Sequence, residues 1–421
     1  MLDMTPIRVA DLDEATRKKI EGLTAAIAAA RDKALRESTE DLLLEREAKR
    51  RGVRAGDLLY KEVVLKTTRP SEQDVAAEIA AHPEKYKSGK EDSEWAAGTL
   101  LDRRLAAREK EFIGGLEKRF AVKAGSNAHV DVAVADVRIR AMKDQQAAVD
   151  RVIHDNLLGA EAARRGITPA ELTQTEVAAK IAPPTDAELK AEWEKWKKFY
   201  GDDFEKARAE VTASVAEAKK TARESAFDSE LRAGHSIRLL FEIPSRPALT
   251  IDVTRAPAEG PKDAPVTLVE WGDFECPPCG AMSTVVDEAL KPYAGRVRYV
   301  FLQSPLSMHP HAWKAAEAAL AAHAQGKFFP YARTLFANQK ALDVASLKKY
   351  ASDIGLDRSK FDKDLDSGRF AGEVLTQRRL GVRAGVLGTP MFFINGVRGG
   401  DDVYSLEGMR AALEAAGKAQ W

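Results

Sequence analysis

The 421-residue chain holds two cysteines, and they stand together as Cys276-Pro277-Pro278-Cys279. A bridge between residues so close in sequence closes almost no loop. It removes little entropy from the unfolded chain and is no stabilising cross-link. The pair is therefore there for its chemistry, as a redox couple or as half of a metal site. Pro265-Val266-Thr267-Leu268-Val269-Glu270-Trp271 is apolar and β-branched and reads as a buried strand. Ala281–Leu290 puts apolar residues on one helical face and stops before Pro292. The cysteines thus fall where a strand turns into a helix, with Cys276 near the helix N-terminus. Free N–H groups and the positive end of the helix dipole favour a thiolate there and lower the first thiol's pKa. Pro277 and Pro278 fit the first turn, where a missing N–H has no intrahelical partner to lose, but they also withdraw two donors from the sulfur. Cys279, one turn in, is placed to be buried and less reactive.

More than a hundred residues later, Gly388-Thr389-Pro390-Met391-Phe392-Phe393-Ile394-Asn395-Gly396 reads as a Thr-Pro turn, a short apolar strand and an Asn-Gly hairpin turn. With Asp273-Phe274-Glu275-Cys276-Pro277-Pro278-Cys279 and the intervening Met308-His309-Pro310-His311, this makes residues 249–421 resemble the thioredoxin fold in its DsbA-like form. The resemblance implies an α/β thioredoxin fold with a helical insertion and a redox-active Cys276–Cys279 disulfide. It implies that Thr389-Pro390 is a cis peptide facing the cysteines, where its backbone pairs with an extended substrate. It also gives Glu270 the role of relaying a proton to or from the second cysteine. A carboxylate within an apolar strand is costly without a task, which agrees independently. The expected catalytic set is Cys276, Cys279, Glu270, Thr389 and Pro390. The expected substrate surface is Phe274, Pro277, Pro278, Thr389 and Pro390, with Phe274 exposed beside the site. No cofactor and no metal are expected.

The residues alone leave alternatives open. His309, His311 and His323 could complete a zinc site with the two thiols, although such sites usually draw on a second close-spaced pair. Pro390 could be trans, and Glu270 could be solvated at a strand end. A thiolate at Cys276 can attack a substrate disulfide, or the Cys276–Cys279 disulfide can be attacked; both routes pass through a mixed disulfide at Cys276. DsbA carries Pro-His between its cysteines, and its histidine helps stabilise the thiolate; Pro-Pro predicts a less oxidising couple. The direction of use stays open. Elsewhere in this portion, Val297–Leu302 reads as a strand. Helices are expected over Ala312 to about Leu342, Ser346–Ala351, Arg358–Ser367, Arg369–Leu380 and Ser405–Ala416. The aromatics Trp271, Trp313, Phe328 and Phe329 are expected in the core.

The first 250 residues are rich in Ala, Glu, Lys and Arg and carry an internal repeat. Leu43-Leu44-Glu45-Arg46-Glu47-Ala48-Lys49-Arg50-Arg51-Gly52-Val53 recurs as Leu157-Leu158-Gly159-Ala160-Glu161-Ala162-Ala163-Arg164-Arg165-Gly166-Ile167, an offset of 114 that continues to Lys66/Lys180 and Pro70/Pro184. Each copy reads as a helix ended by glycine, a linker, a helix, then a proline and an acidic helix start (Ser71-Glu72, Thr185-Asp186). A long charged helix follows (Thr99–Val122, Glu205–Ala233) and runs into an alternating strand (Val130–Val134, Ile237–Phe241). The pattern suggests duplication and resembles the helical chaperone segments of SurA-like periplasmic prolyl isomerases, without their catalytic domain. It fits an arm that cradles unfolded clients or mediates homo-oligomerisation, or a solvated helical spacer. The expected division is residues 1–138 and 139–243 for the two repeat units, 244–265 for a proline-rich linker with a first strand at Leu249–Val253, and 266–421 for the DsbA-like domain.

Lysine plus arginine equals aspartate plus glutamate, 65 each, so no basic field awaits nucleic acid or anionic lipid. No stretch reaches the ~18 apolar residues of a membrane span. Thr24–Ala30 is too short and too deep for a signal-peptide core, and Met1-Leu2-Asp3-Met4 looks like a processed or restarted beginning. The family resemblance places the protein in the periplasm or cell envelope. The expected partners are protein thiols and disulfides, a redox protein that recharges the dithiol, and unfolded clients on the arm. Two functions compete: a thiol–disulfide oxidoreductase, and a chaperone or scaffold whose thioredoxin-like domain is chiefly a binding module. Metal handling by the dithiol is a third.

Overall fold

A strand with apolar residues on both of its faces must be covered on both, and this is how the central strand is used. The computed structural model describes residues 7–86, 90–125, 127–233, 235, 237, 244 and 246–418. Five strands, Ala258–Glu259 (β1), Val266–Gly272 (β2), Val297–Gln303 (β3), Met391–Ile394 (β4) and Val397–Arg398 (β5), form one sheet in the order β1-β3-β2-β4-β5. β2 and β3 are parallel, and the other pairs are antiparallel. One face buries Leu268, Tyr299, Phe301 and Phe392 under helices Pro277–Leu290, Ala312–His323, Phe328–Ala337 and Leu406–Gly417. The other buries Val269, Trp271, Val300, Leu302 and Phe393 with Ala384 and Val386. This is the expected thioredoxin fold with a helical insertion, and a large helical region precedes it in the sequence.

The Asn-Gly turn forms as read. Asn395 and Gly396 both have positive φ, 48° and 79°, and the Asn395 side chain accepts from Thr267 N at 2.8 Å. Other expectations are corrected. Leu249–Val253 is not a strand: Leu249 N donates to Gly396 O at 2.9 Å and Val253 O accepts from Ala256 N at 3.2 Å, while Leu249, Ile251 and Val253 pack on the Trp271 face. The helix expected from Ala312 to about Leu342 breaks after His323, where Gly326 takes a φ of 74° and Lys327 N returns to Ala322 O. The helix after the cysteines, by contrast, begins at Pro277 with Cys276 as its N-cap, as the place of the two prolines in its first turn implies.

The chain packs as two compact units. One takes residues up to Ala30 together with Val134–Arg246; the other takes Arg31–Ala133 together with Pro247–Trp421. The repeat is visible in ion pairs as well as in sequence. In the first copy Gly52 ends helix Leu23–Arg51, and Glu47 pairs with Arg50 and Arg51. Arg51 also pairs with Glu62, and Ser71 and Asp74 form a capping box. In the second, Gly166 ends helix Ala128–Arg165, Glu161 pairs with Arg164 and Arg165, Arg165 with Glu176, and Thr185 and Glu188 form the box. Each of these partners lies 114 residues on. In the long helices, Lys90–Arg119 and Phe204–Arg232, the shift becomes 115: Arg108 Nε donates to Glu62 O, and Arg223 Nε to Glu176 O. The strand expected at Val130–Val134 is instead helical, within Ala128–Arg165. Asn127 Oδ1 accepts from Val130 N at 3.2 Å, a cap that starts the helix there. Of the matching Ile237–Phe241, only Ile237 lies within the described residues.

The first copy is built onto the thioredoxin portion. Helix Ala371–Arg383 approaches helix Ala55–Leu59 so closely that a Cβ on Gly56 would stand 2.1 Å from Gly372 O, and one on Gly372 would stand 2.8 Å from Asp57 N. Around this contact Arg54 pairs with Glu373 at 2.9 Å, Arg379 with Asp41 at 2.7 Å and with Glu109, and Arg383 with Glu37, Glu40 and Asp41. Helix Lys90–Arg119 reaches the loop after β3: a Cβ on Gly98 would stand 2.2 Å from Ser307 O, and Ser307 hydroxyl donates to Asp102. Gly372→Val should therefore destabilise the second unit by about 1–3 kcal/mol and speed proteolysis between residues 31 and 133. Denaturant melts and timed proteolysis measure this; a wild-type digestion pattern would contradict the close packing.

Candidate active site around the cysteine pair

The end of β2, the turn Asp273–Glu275 and the first turn of helix Pro277–Leu290 carry the site. Cys276, the N-cap, has extended backbone (φ −71°, ψ 117°), and its carbonyl accepts from Gly280 N at 3.2 Å. The thiol donates to Thr389 O at 3.3 Å, across a Thr389-Pro390 peptide bond that is cis. Both thiols are free; Cys279 is fully buried and Cys276 4% exposed. The Cys279 thiol donates to the Cys276 sulfur, which, against burial, lowers the Cys276 pKa below that of an ordinary thiol. Burial pushes Cys279 the other way, well above it. One sulfur is thus poised as nucleophile while its neighbour keeps its proton. Pro277 and Pro278 are exposed beside Cys276, Thr389 is half-buried and Pro390 is buried.

Glu270 is 1% exposed and lies on the cysteine face of β2, its Cα paired with Phe392 and Phe301. Tyr299 hydroxyl donates to Oε2 at 2.6 Å, and Oε1 has no hydrogen-bond partner. Burial pushes the carboxyl up to about 7; the Tyr299 bond opposes this, and Cys276 and Asp287 add to it. The reading of Glu270 as a solvated strand-end residue is thereby overturned.

Phe274 does not join an exposed substrate surface. Its side chain is fully buried, stacked on Phe301 at 5.3 Å between centroids and packed on Phe336 and Phe328. The ring fills the space between Phe301, Phe328 and Phe336, on the face of the sheet opposite Trp271. His309 and His311 meet carboxylates, not sulfur: His309 Nδ1 lies 2.7 Å from Asp273 Oδ2, and His311 Nδ1 3.1 Å from Glu275 Oε1. Among the described residues no three His, Cys, Asp or Glu side chains are grouped to hold a metal ion.

Three residues of this site escaped the sequence reading. Asp273, 2% exposed, holds two loops together by accepting from Leu306 N and Glu275 N at 2.8 Å each. Gln339 donates to Phe274 O at 3.0 Å and Cys276 O at 2.8 Å, in space that only a glycine at 280 leaves open. Tyr299 pins Glu270. Asp273 stands in the cysteine motif and could have been suspected as a turn former; Gln339, in a turn 63 residues from Cys276, gives no local signal.

A family model described as thioredoxin matches residues 253–415. Among curated proteins, a Na(+)/H(+) antiporter NhaA of Salinispora tropica is 41% identical over 167 residues, 39% of this chain and 25% of that protein. One from Herminiimonas arsenicoxydans is 38% identical over 159 residues, again 25% of its length. The chain thus spans about a quarter of the length of the curated relatives it matches. No helix among the described residues is long and apolar enough to cross a membrane. Among solved structures, oxidised BdbD from Bacillus subtilis is 21% identical, covers 41% of this chain and 97% of its own, and has a TM-score of 0.38. A thioredoxin-like oxidoreductase from Silicibacter pomeroyi is 26% identical, covers 39% and 93%, and has a TM-score of 0.36.

Two outcomes follow from the burial pattern. Phe274→Ala should cost about 3–5 kcal/mol in denaturant melts; a loss below ~1 kcal/mol would mean an exposed ring. Because the Glu270 carboxyl is raised from 4.5 to about 7, the folded chain holds a proton that the unfolded chain has released across that window. Stability therefore falls as pH rises through it. Glu270→Gln removes this penalty and should gain roughly 2–3 kcal/mol near pH 8 but none near pH 4, measured on the reduced protein. An equal change at both pH values would contradict the raised pKa.

Proposed function

We propose that the protein is a thiol–disulfide oxidoreductase acting on other proteins through Cys276 and Cys279. The observation that carries this is the Cys276 thiol at a helix N-terminus, 3.3 Å from the Thr389 carbonyl, with the protonated Cys279 behind it. The Cys276 thiolate attacks one sulfur of a substrate disulfide and the other leaves as thiolate. Cys279 then loses its proton, attacks Cys276 and releases the substrate's second thiol, so the substrate is reduced and the protein dithiol oxidised. The reverse sequence oxidises a substrate dithiol. Thr389, Pro390, Pro277 and Pro278 border the thiol and supply the surface for an extended substrate backbone; Glu270 exchanges the proton of Cys279. A second protein resets the dithiol after each turnover, and the envelope is the compartment where such a couple is used.

The duplicated helices are read as an arm for unfolded clients. The contact of Gly98 and Asp102 with Ser307 supports this, since Asp273 ties the same loop to the cysteine turn. In the reduced protein, alkylation of Cys276 should show a midpoint below the ~8.5 of a free cysteine, and Cys279 should stay unmodified. Cys276→Ser should abolish exchange with a disulfide-bonded protein, and Cys279→Ser should trap the mixed disulfide. If exchange is negligible while protection of unfolded clients survives loss of both cysteines, the thioredoxin-like domain is a binding module instead.

A further inference from the structure

Resting on the oxidoreductase reading, we propose that Tyr299 is the positioning residue that aims Glu270 at the cysteine pair and sets the pH at which Cys279 gives up its proton. Two observations on opposite sides of one carboxyl group carry this. Tyr299 hydroxyl occupies Oε2 at 2.6 Å, while Oε1, equally buried, is left without a partner. Gly272 keeps the free side open: a Cβ there would stand 3.2 Å from Oε1. A carboxyl so held has one available oxygen and one orientation.

The chemistry of the partner matters as much as its place. A lysine or arginine would hold the carboxylate ionised and make it a poor proton acceptor, whereas a phenol donates one hydrogen bond and adds no charge. The groups facing Glu270 are Tyr299 of β3, Cys276 and Cys279 after β2, Asp287 of helix Pro277–Leu290, and Tyr404. None is a cation, and burial keeps Tyr299 protonated and so a donor. When Cys279 attacks a mixed disulfide at Cys276, its S–H bond breaks and the proton passes to the Glu270 carboxylate. The Cys276–Cys279 bond forms as the bond to the substrate sulfur breaks, and that sulfur leaves with the electron pair.

The test uses the full chain loaded as a glutathione mixed disulfide at Cys276, with the rate of glutathione release followed against pH. Wild type should lose rate on the acid side as Glu270 protonates, and Glu270→Gln should flatten that limb. Tyr299→Phe removes the bond that favours the ionised carboxyl, so the midpoint should move up by about one pH unit. Tyr299 replaced by a fluorinated tyrosine, a stronger donor of the same shape, should move it down. An unmoved midpoint in both folded Tyr299 variants overturns the proposal. If Tyr299→Phe does not fold, the fluorinated protein alone decides. Failure of the mixed disulfide to form in wild type would strike the oxidoreductase reading instead.

Discussion

A carboxyl group without a cation is sealed under the end of the central strand, close to the more deeply buried of two sulfur atoms. Its burial raises its own affinity for a proton, and its proximity raises that of Cys279. Burial of Cys279 and its hydrogen bond to the Cys276 sulfur make the thiols unlike: one sulfur lies at a helix mouth and accepts that bond, and the other is held protonated by its surroundings. The sheet makes this arrangement possible. Only a strand covered on both faces can bury a carboxyl at one position and Trp271 at the next.

The chemistry-bearing parts were legible because they are local. A strand, two cysteines and a helix in one stretch leave few geometries, and the Asn-Gly pair demanded the positive φ angles found at 395 and 396. The failures came where tertiary contacts decide. Phe274 lies beside the cysteines in sequence, yet its ring turns inward because Phe301, Phe328 and Phe336 leave an aromatic gap there. Val130–Val134 alternates like a strand, but a capping asparagine and the alanine-rich residues that follow carry it into a helix. Gln339 and Tyr299 reach the site across 65 and 29 residues, a distance no periodicity spans.

The two helical copies share the ion pairs around Glu47 and Glu161 and differ where the first meets the thioredoxin portion. Arg54, Gly56 and Tyr60 correspond at the same offset to Thr168, Ala170 and Gln174. The alanine methyl would not fit the spacing that Gly56 allows against Gly372, and threonine cannot make the ion pair of Arg54 with Glu373. The copies therefore share a scaffold and have parted in what their surfaces bind.

That Gly56–Gly372 seam bears on how the protein can be dissected. The proline-rich stretch near residue 250 invites a cut that would release the last 170 or so residues. Such a fragment would carry Arg379 and Arg383 stripped of Asp41, Glu37 and Glu109, beside a bare glycine-lined helix. The compact unit to which these residues belong is discontinuous, and the helices numbered 31–133 are part of it.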